Sequence, residues 1–171
     1  MTTTRTLNNV DIETVAALTA ACADDPEKAA TTWKAAVDWN GGFRSEARVR
    51  EFDPLPSDEP AGLGGTDQAP NPVEQLLAAL GNCLAVGVAA NATGRGISVD
   101  RLSIEVEGDL DLSAFLGLKE GHAGFESIRA RIDIEADTDP RAIEDLVRAV
   151  VATSPVGHTL TRQIPVEVTT V

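Results

Sequence analysis

The feature that most restricts this chain is the run Asn71-Pro72-Val73-Glu74. An Asn caps a helix with its side-chain oxygen, and a Pro at the first helical position loses no donor the helix needs. A Glu three residues after the cap reaches back to the cap's own N–H. All three conditions are met, so the spacing predicts a helix that starts near Pro72. The residues that follow, Gln75 to Ala92, are apolar on almost every side, and Ala78, Ala79, Gly81, Ala85, Gly87, Ala89 and Ala90 keep the rod thin. A helix with no polar face is predicted to be buried all round, and its small residues let neighbouring backbones approach. Gly94 and Gly96 end it. The rest of the fold has to be built round this element, and Cys83 lies midway along it.

A chain of 171 residues is the usual size of one domain and can bury roughly 70% of its unfolded surface, so a single domain over 1–171 is expected. Apolar residues at 43% and charged residues at 24% are those of an ordinary globular protein. The net charge of -13 repels phosphate backbones and anionic membrane surfaces, so neither nucleic acid nor membrane is expected as a partner. The two cysteines, Cys22 and Cys83, have no disulfide or metal spacing, which fits a reducing compartment. Met1 to Asn9 is Thr-rich and lacks the layout of a signal peptide. The apolar run Leu76 to Ala90 is interrupted by Gly81 and Asn82 and is shorter than the roughly 20 residues of a membrane span. A cytoplasmic protein is expected.

Along the chain, Ile12, Val15, Leu18 and Thr19 recur at helical spacing from Asp11 to Cys22, predicting a peripheral helix within an N-terminal segment, 1–31. Trp33, Ala35, Val37 and Trp39 alternate with other residues, Gly41-Gly42 turns the chain, and Phe43 to Phe52 alternates again, predicting a hairpin. Asp53 to Asn71 holds Pro54, Pro56, Pro60, Pro70 and Gly64-Gly65, predicting a long ordered loop. Leu102, Ile104 and Val106 form one strand pattern. Ile128, Ala130, Ile132 and Ile134 form another, after an irregular insert containing His122. Thr138-Asp139-Pro140 starts a second helix with Ile143, Leu146, Val147, Val150 and Val151 on one face; it stops before Ser154-Pro155. A turn through Leu160 then leads to a last strand, Val166 to Val171. Grouped strands with two core helices predict an α+β fold with mainly antiparallel sheet. So thin and apolar a helix is also expected to hide against a partner subunit.

Cys83 is the one nucleophilic atom on the central helix. It reads either as a small core residue or as a reactive thiol, and the second needs a cation or hydrogen-bond donors to hold the thiolate. Arg44, Arg48 and Arg50 on the hairpin could supply the cation, or could form a solvated strand face. Cys22 has no motif round it. His158 follows Ser154 by four residues and could line a pocket with it, but no acidic residue in a motif position completes a hydrolase triad. His122, among Lys119, Glu120 and Gly121, reads as solvated. No cluster has metal spacing, no Gly-rich strand-to-helix turn suggests a nucleotide, and no cofactor is expected.

Several runs resemble the OsmC/Ohr family: Trp39-Asn40-Gly41-Gly42-Phe43-Arg44-Ser45, Asp58-Glu59-Pro60, Gly64-Gly65-Thr66-Asp67, Asn71 to Leu84, and Ser154-Pro155-Val156. The resemblance extends from about Thr32 to the end, and its most specific part is the Asn-Pro helix start with a cysteine at this spacing. It implies an intertwined homodimer in which a strongly curved, mainly antiparallel sheet wraps round two central helices, with sites at the subunit interface. Peroxidase members of that family reduce organic hydroperoxides. One cysteine attacks the peroxide and becomes sulfenic acid, a second closes a disulfide, an arginine and a glutamate hold the thiolate, and an external dithiol restores it. Cys83 matches the central-helix cysteine, and Arg44 is the nearest match to the arginine, with Arg48 its substitute if the register differs. Ser154 stands where the second cysteine would be, and Val73 where the glutamate would be. Glu74 comes one residue later, about 100 degrees round the helix, and reads as part of the capping box. The resemblance therefore implies either one-cysteine peroxide reduction through Cys83 with an external thiol reductant, or a degenerate member that binds a small apolar or thiol ligand. Arg48, Ser154 and His158 are then substrate-side residues.

Overall fold

A computed structural model describes residues 6–170. Met1 to Arg5 of the Thr-rich start, and Val171 of the expected last strand, lie outside the described residues. The chain forms two compact units, one of residues 6–12 with 77–170 and one of residues 13–76.

The smaller unit opens with α1 (Ile12–Asp24), which has no buried residue, as its peripheral reading requires. A three-stranded antiparallel sheet follows in the order β1 (Ala36–Trp39), β2 (Ser45–Arg48) and β3 (Leu55–Ser57). The expected hairpin is β1 with β2, pairing Trp39 with Ser45 and Ala36 with Arg48. Its strands are shorter than the alternation suggested, and the third strand lies inside the segment read as loop. There Pro56 pairs with Glu46, and Leu55 with Ala47. Beyond β3, Ala61–Leu63 make a 3-10 turn closed by Gly64 at φ 90. The Asp58 carboxylate organises this segment. Its Oδ2 accepts from Thr66 Oγ1 at 2.5 Å, Thr66 N at 3.1 Å and Gln68 N at 3.2 Å, while Oδ1 accepts from Glu59 N at 2.8 Å.

The predicted helix is α2 (Pro72–Gly94). Its capping box forms as read: Glu74 N donates to Asn71 Oδ1 at 2.9 Å and Asn71 N donates to Glu74 Oε2 at 2.8 Å. Its 23 residues run from Pro72 to Gly94, the bounds read from the sequence, and by length and composition alone it could cross a membrane. Gly81 and Asn82 do not break it, because the first packs beside Val106 and the second is exposed.

In the larger unit, Leu80, Leu84, Val88 and Ala92 of α2 recur every four residues and form the core with Leu146 and Val150. Beyond this stripe, α2 buries only Thr93. In the single chain Val86, on the far side of the rod, is 70% exposed, so one chain by itself does not bury the helix all round. The small residues act as expected at Gly87, where an added Cβ would lie 2.7 Å from Val150 Cγ1.

The core packs against an antiparallel pair, β4 (Val99–Leu110) and β5 (Phe125–Ala136). Of the predicted inner residues, Leu102, Ile104, Val106, Ile128, Ile132 and Ile134 pack against the core, while Ala130, paired with Val106, is exposed. The outer face is a charge ladder. Arg131 pairs with Glu105 at 2.7 Å and Arg129 with Glu107 at 2.8 Å; both pairs are exposed and screened by solvent, so they add little to stability. A short helix, α3 (Leu112–Phe115), begins the insert between the strands.

Next comes α4 (Pro140–Thr153), capped by Asp139 as the Asp-Pro pair predicts. The expected turn through Leu160 is instead a helix, α5 (Pro155–Thr161), with Pro155 in its first turn and Ser154 as its cap. The expected last strand is absent among the described residues: 163–170 pair with no strand, and Pro165 has no N–H to offer a ladder.

Candidate functional site

In the larger unit, Cys83 Sγ and Ser154 Oγ lie 3.3 Å apart, although 71 residues separate them in the chain. Cys83 is half-buried in the middle of α2. Ser154 is buried at the junction where α4 ends and α5 begins, with extended φ/ψ of -70 and 114. Its Oγ accepts from Gly157 N at 3.1 Å, as a cap should. That bond uses one lone pair and leaves the hydroxyl proton free. Either atom can donate between a thiol and a hydroxyl, but a thiolate has no proton, so toward a thiolate Ser154 is the donor.

Ser154 also lines an apolar cavity of about 340 Å³ with Leu80, Leu84, Phe125, Ile128, Val151 and Leu160. A volume of this size is at the lower end of small-molecule sites. The lining comes from α2, β5, α4 and α5, so it is assembled by the same packing that forms the core. His158 is not part of this lining. It is exposed, its ring Nε2 lies 3.0 Å from the Ala152 carbonyl oxygen, and its backbone N donates to Ser154 O at 2.9 Å. The four-residue spacing thus serves the α5 backbone rather than a side-chain pair with Ser154.

The hairpin arginines belong to the smaller unit. Arg44 is exposed and borders a hollow of about 170 Å³ with Asn40, Ser45, Ser57, Asp58 and Gln68. Arg48 forms an ion pair with Asp38 on the neighbouring strand. Arg50 lies 4.6 Å from the Phe52 ring centre. Cys22, on α1, is half-buried, and His122 is exposed in the insert, as read. Among the described residues no group of three or more His, Cys, Asp or Glu is arranged to hold a metal ion.

Two residues with no role of their own legible in the sequence also shape these surroundings. Asp58 is buried, and the Thr66 hydroxyl followed by three backbone N–H groups holds its carboxyl below the ordinary value of 3.8 against the opposing effect of burial. Its signal was an Asp eight residues before a Thr within a Gly-rich loop, too loose a pattern to read alone. Gly157 both donates to Ser154 and lies so close that an added Cβ would be 3.1 Å from Ser154 Oγ.

Comparisons with known proteins bear on the family and the fold. Residues 65–169 match the family model described as OsmC-like protein. No curated protein matches the sequence. Among solved structures, an OsmC-like protein from Mycoplasma pneumoniae has a TM-score of 0.67 at 18% identity, covering 77% of this chain and 88% of that one. An organic hydroperoxide resistance protein, OsmC, from Legionella pneumophila has a TM-score of 0.57 at 18% identity, covering 77% of this chain and 91% of that one. At these identities the likeness is one of fold.

Proposed function

Because the chain belongs to the OsmC-like protein family, we propose that it reduces small organic hydroperoxides with a single cysteine, Cys83, and an external thiol. The observation that carries this reading is the 3.3 Å contact between Cys83 Sγ and Ser154 Oγ beside the apolar cavity. The Cys83 thiolate attacks one peroxide oxygen, the O–O bond breaks, and the departing alkoxide leaves as the alcohol after taking up a proton. Sulfur is oxidised to sulfenic acid. Ser154 has no thiol, so it closes no disulfide. A small thiol then attacks the sulfenic sulfur, releasing water and leaving a mixed disulfide. A second thiol frees Cys83 and carries away the reductant's disulfide. Ser154 holds the thiolate by hydrogen bonding, the cavity takes the apolar part of the substrate, and Arg44, rather than the ion-paired Arg48, supplies the cation in a homodimer. The reductant implies a reducing compartment, the cytoplasm.

One observation favours a second reading. The cavity is lined without Cys83, as in a pocket that holds an apolar ligand and performs no thiol chemistry. The two are separated by adding stoichiometric hydroperoxide, trapping sulfenic acid with a dimedone-type probe, and following turnover with dithiothreitol. The peroxidase reading predicts label on Cys83 and turnover abolished in Cys83→Ser. Turnover unchanged in that variant overturns it; slow, ordinary oxidation with an apolar molecule retained through purification supports the binding reading.

A further inference from the structure

The chain has asparagines at 8, 9, 40, 71, 82 and 91, and their surroundings differ in a way that matters for their chemistry. An asparagine converts itself when the N–H of the next residue attacks its side-chain carbonyl carbon. That requires a free carboxamide, an uncommitted N–H and little bulk on the following residue. Asn71 precedes Pro72 and offers no N–H. Asn82 and Asn91 lie inside α2, where the next N–H belongs to the helix. The Asn8 carboxamide is fully engaged, donating to Thr93 Oγ1 at 3.0 Å and Ile97 O at 2.9 Å and accepting from Val99 N at 2.9 Å. Asn9 precedes the branched Val10, whose N–H donates to Leu7 O at 3.1 Å.

Asn40 differs on every count. It precedes Gly41 in the β1–β2 loop and is exposed, and its carboxamide makes no hydrogen bond among the described residues. Gly41 N is likewise uncommitted, and the space where its Cβ would stand holds nothing within 4 Å. The loop round this pair is pinned. Asn40 N donates to Arg44 O at 2.9 Å, Arg44 N to Gly41 O at 3.2 Å, and the Trp39 indole N–H to Gly42 O at 2.9 Å. Glycine is also the residue that tolerates the φ of +90 found at position 41.

We propose that Asn40 is a self-modification site, at which the chain converts a neutral carboxamide into a carboxylate beside Arg44. Gly41 N bonds to the Asn40 side-chain carbonyl carbon, the C–N bond of the carboxamide breaks, and ammonia leaves a five-membered cyclic imide. Water then opens the imide at either carbonyl. One product is Asp, with the backbone unchanged. The other is isoaspartate, in which the backbone runs through the side chain and gains one carbon. Both products add a negative charge to the hollow that Asn40 shares with Arg44, giving that guanidinium an anionic neighbour. The isoaspartyl product also lengthens the loop that sets the β1–β2 register. The inference is independent of any reaction at Cys83.

The folded, full-length protein is aged in mildly alkaline buffer, digested with trypsin and analysed by mass. Peptide Ala35–Arg44, released by cleavage after Lys34 and Arg44, is expected to gain one mass unit before any other asparagine-containing peptide. Isoaspartyl methyltransferase is expected to label that peptide, and Asn40→Gln is expected to abolish both signals. Faster conversion at any other asparagine overturns the assignment. So does conversion of Asn40 in the urea-unfolded chain with none in the folded one, since the fold would then be protecting the pair.

Discussion

Ser154 Oγ and Cys83 Sγ are 3.3 Å apart, with the serine held by its bond to Gly157 N and the cysteine by the middle of α2. A sulfur in place of the serine oxygen would therefore face Cys83 at a distance that a small side-chain rotation closes. Ser154→Cys is expected to form an internal disulfide on treatment with hydroperoxide, read as the loss of two free thiols and a fall of two mass units, where the parent protein forms none. The cost is the α5 cap, about 1 kcal/mol. Turnover with a dithiol is expected to rise in this variant. A Ser154→Cys protein that keeps both thiols under peroxide would show that the two positions do not meet in solution.

Gly87 faces Val150 across the α2–α4 contact, and two effects compete when it becomes alanine. Removing a helical glycine gains about 1 kcal/mol. The new Cβ, 2.7 Å from Val150 Cγ1, overpacks the core at a cost of about 1–3 kcal/mol. Val150 is branched at its own Cβ and 1% exposed, so its methyl has nowhere to swing and the clash wins. Gly87→Ala is expected to lower stability in urea unfolding by about 1 kcal/mol. Added to Val150→Ala, where the methyl is gone, the same change is expected to be neutral or stabilising. A stabilised single variant would sink this account.

Local signals that agreed with tertiary packing could be read from the sequence. Asn71-Pro72-Val73-Glu74 fixed the start of α2, Asp139-Pro140 fixed that of α4, and alternation located the inner faces of β4 and β5. The misses have local causes. Pro155, Gly157 and the threonines gave 155–161 no apolar period, so α5 was invisible until its serine cap was seen. β3 is three residues long and carries a proline, which alternation cannot detect. A strand over 166–170 had the right pattern but has no partner among the described strands. The pairing of Cys83 with Ser154 is a contact between distant parts of the chain, and only the family resemblance hinted at it.

Asp58 links acid stability to the loop it holds. Its carboxyl titrates below 3.8, chiefly because the Thr66 hydroxyl and then backbone N–H groups bind the ionised form. The unfolded chain therefore takes up this proton first as pH falls. The stabilisation is fully present above the ordinary carboxylate range and is lost as pH drops through the lower folded value. Asp58→Asn retains one acceptor oxygen but turns an NH₂ toward N–H donors. Its urea midpoint is expected to fall at neutral pH, and the gap from the parent protein is expected to narrow toward strong acid. A gap that stays constant across that range would remove Asp58 from the acid transition.

The strand registers of the smaller unit place Val37, Ala47 and Leu55 in one row and Trp39 beside Ser45 on the same face. In the single chain Val37 is 66%, Trp39 75% and Leu55 54% exposed, while Asp38, Glu46 and Arg48 occupy the opposite face. One apolar and one charged face on a sheet is the pattern of a surface covered on one side, and aromatic residues favour interfaces over open water. The homodimer proposed for the site would supply that cover. Sedimentation equilibrium is expected to give twice the chain mass. Val37→Lys, which puts an ammonium into the apolar row, is expected to weaken association by about 2 kcal/mol or more, roughly thirty-fold in the dissociation constant. Glu46→Lys, on the charged face of the same sheet, is the control and should leave association within a few-fold. A parent chain that sediments as a monomer at every concentration, or a Val37→Lys protein that dimerises as tightly as the parent, would leave this apolar row without its proposed cover.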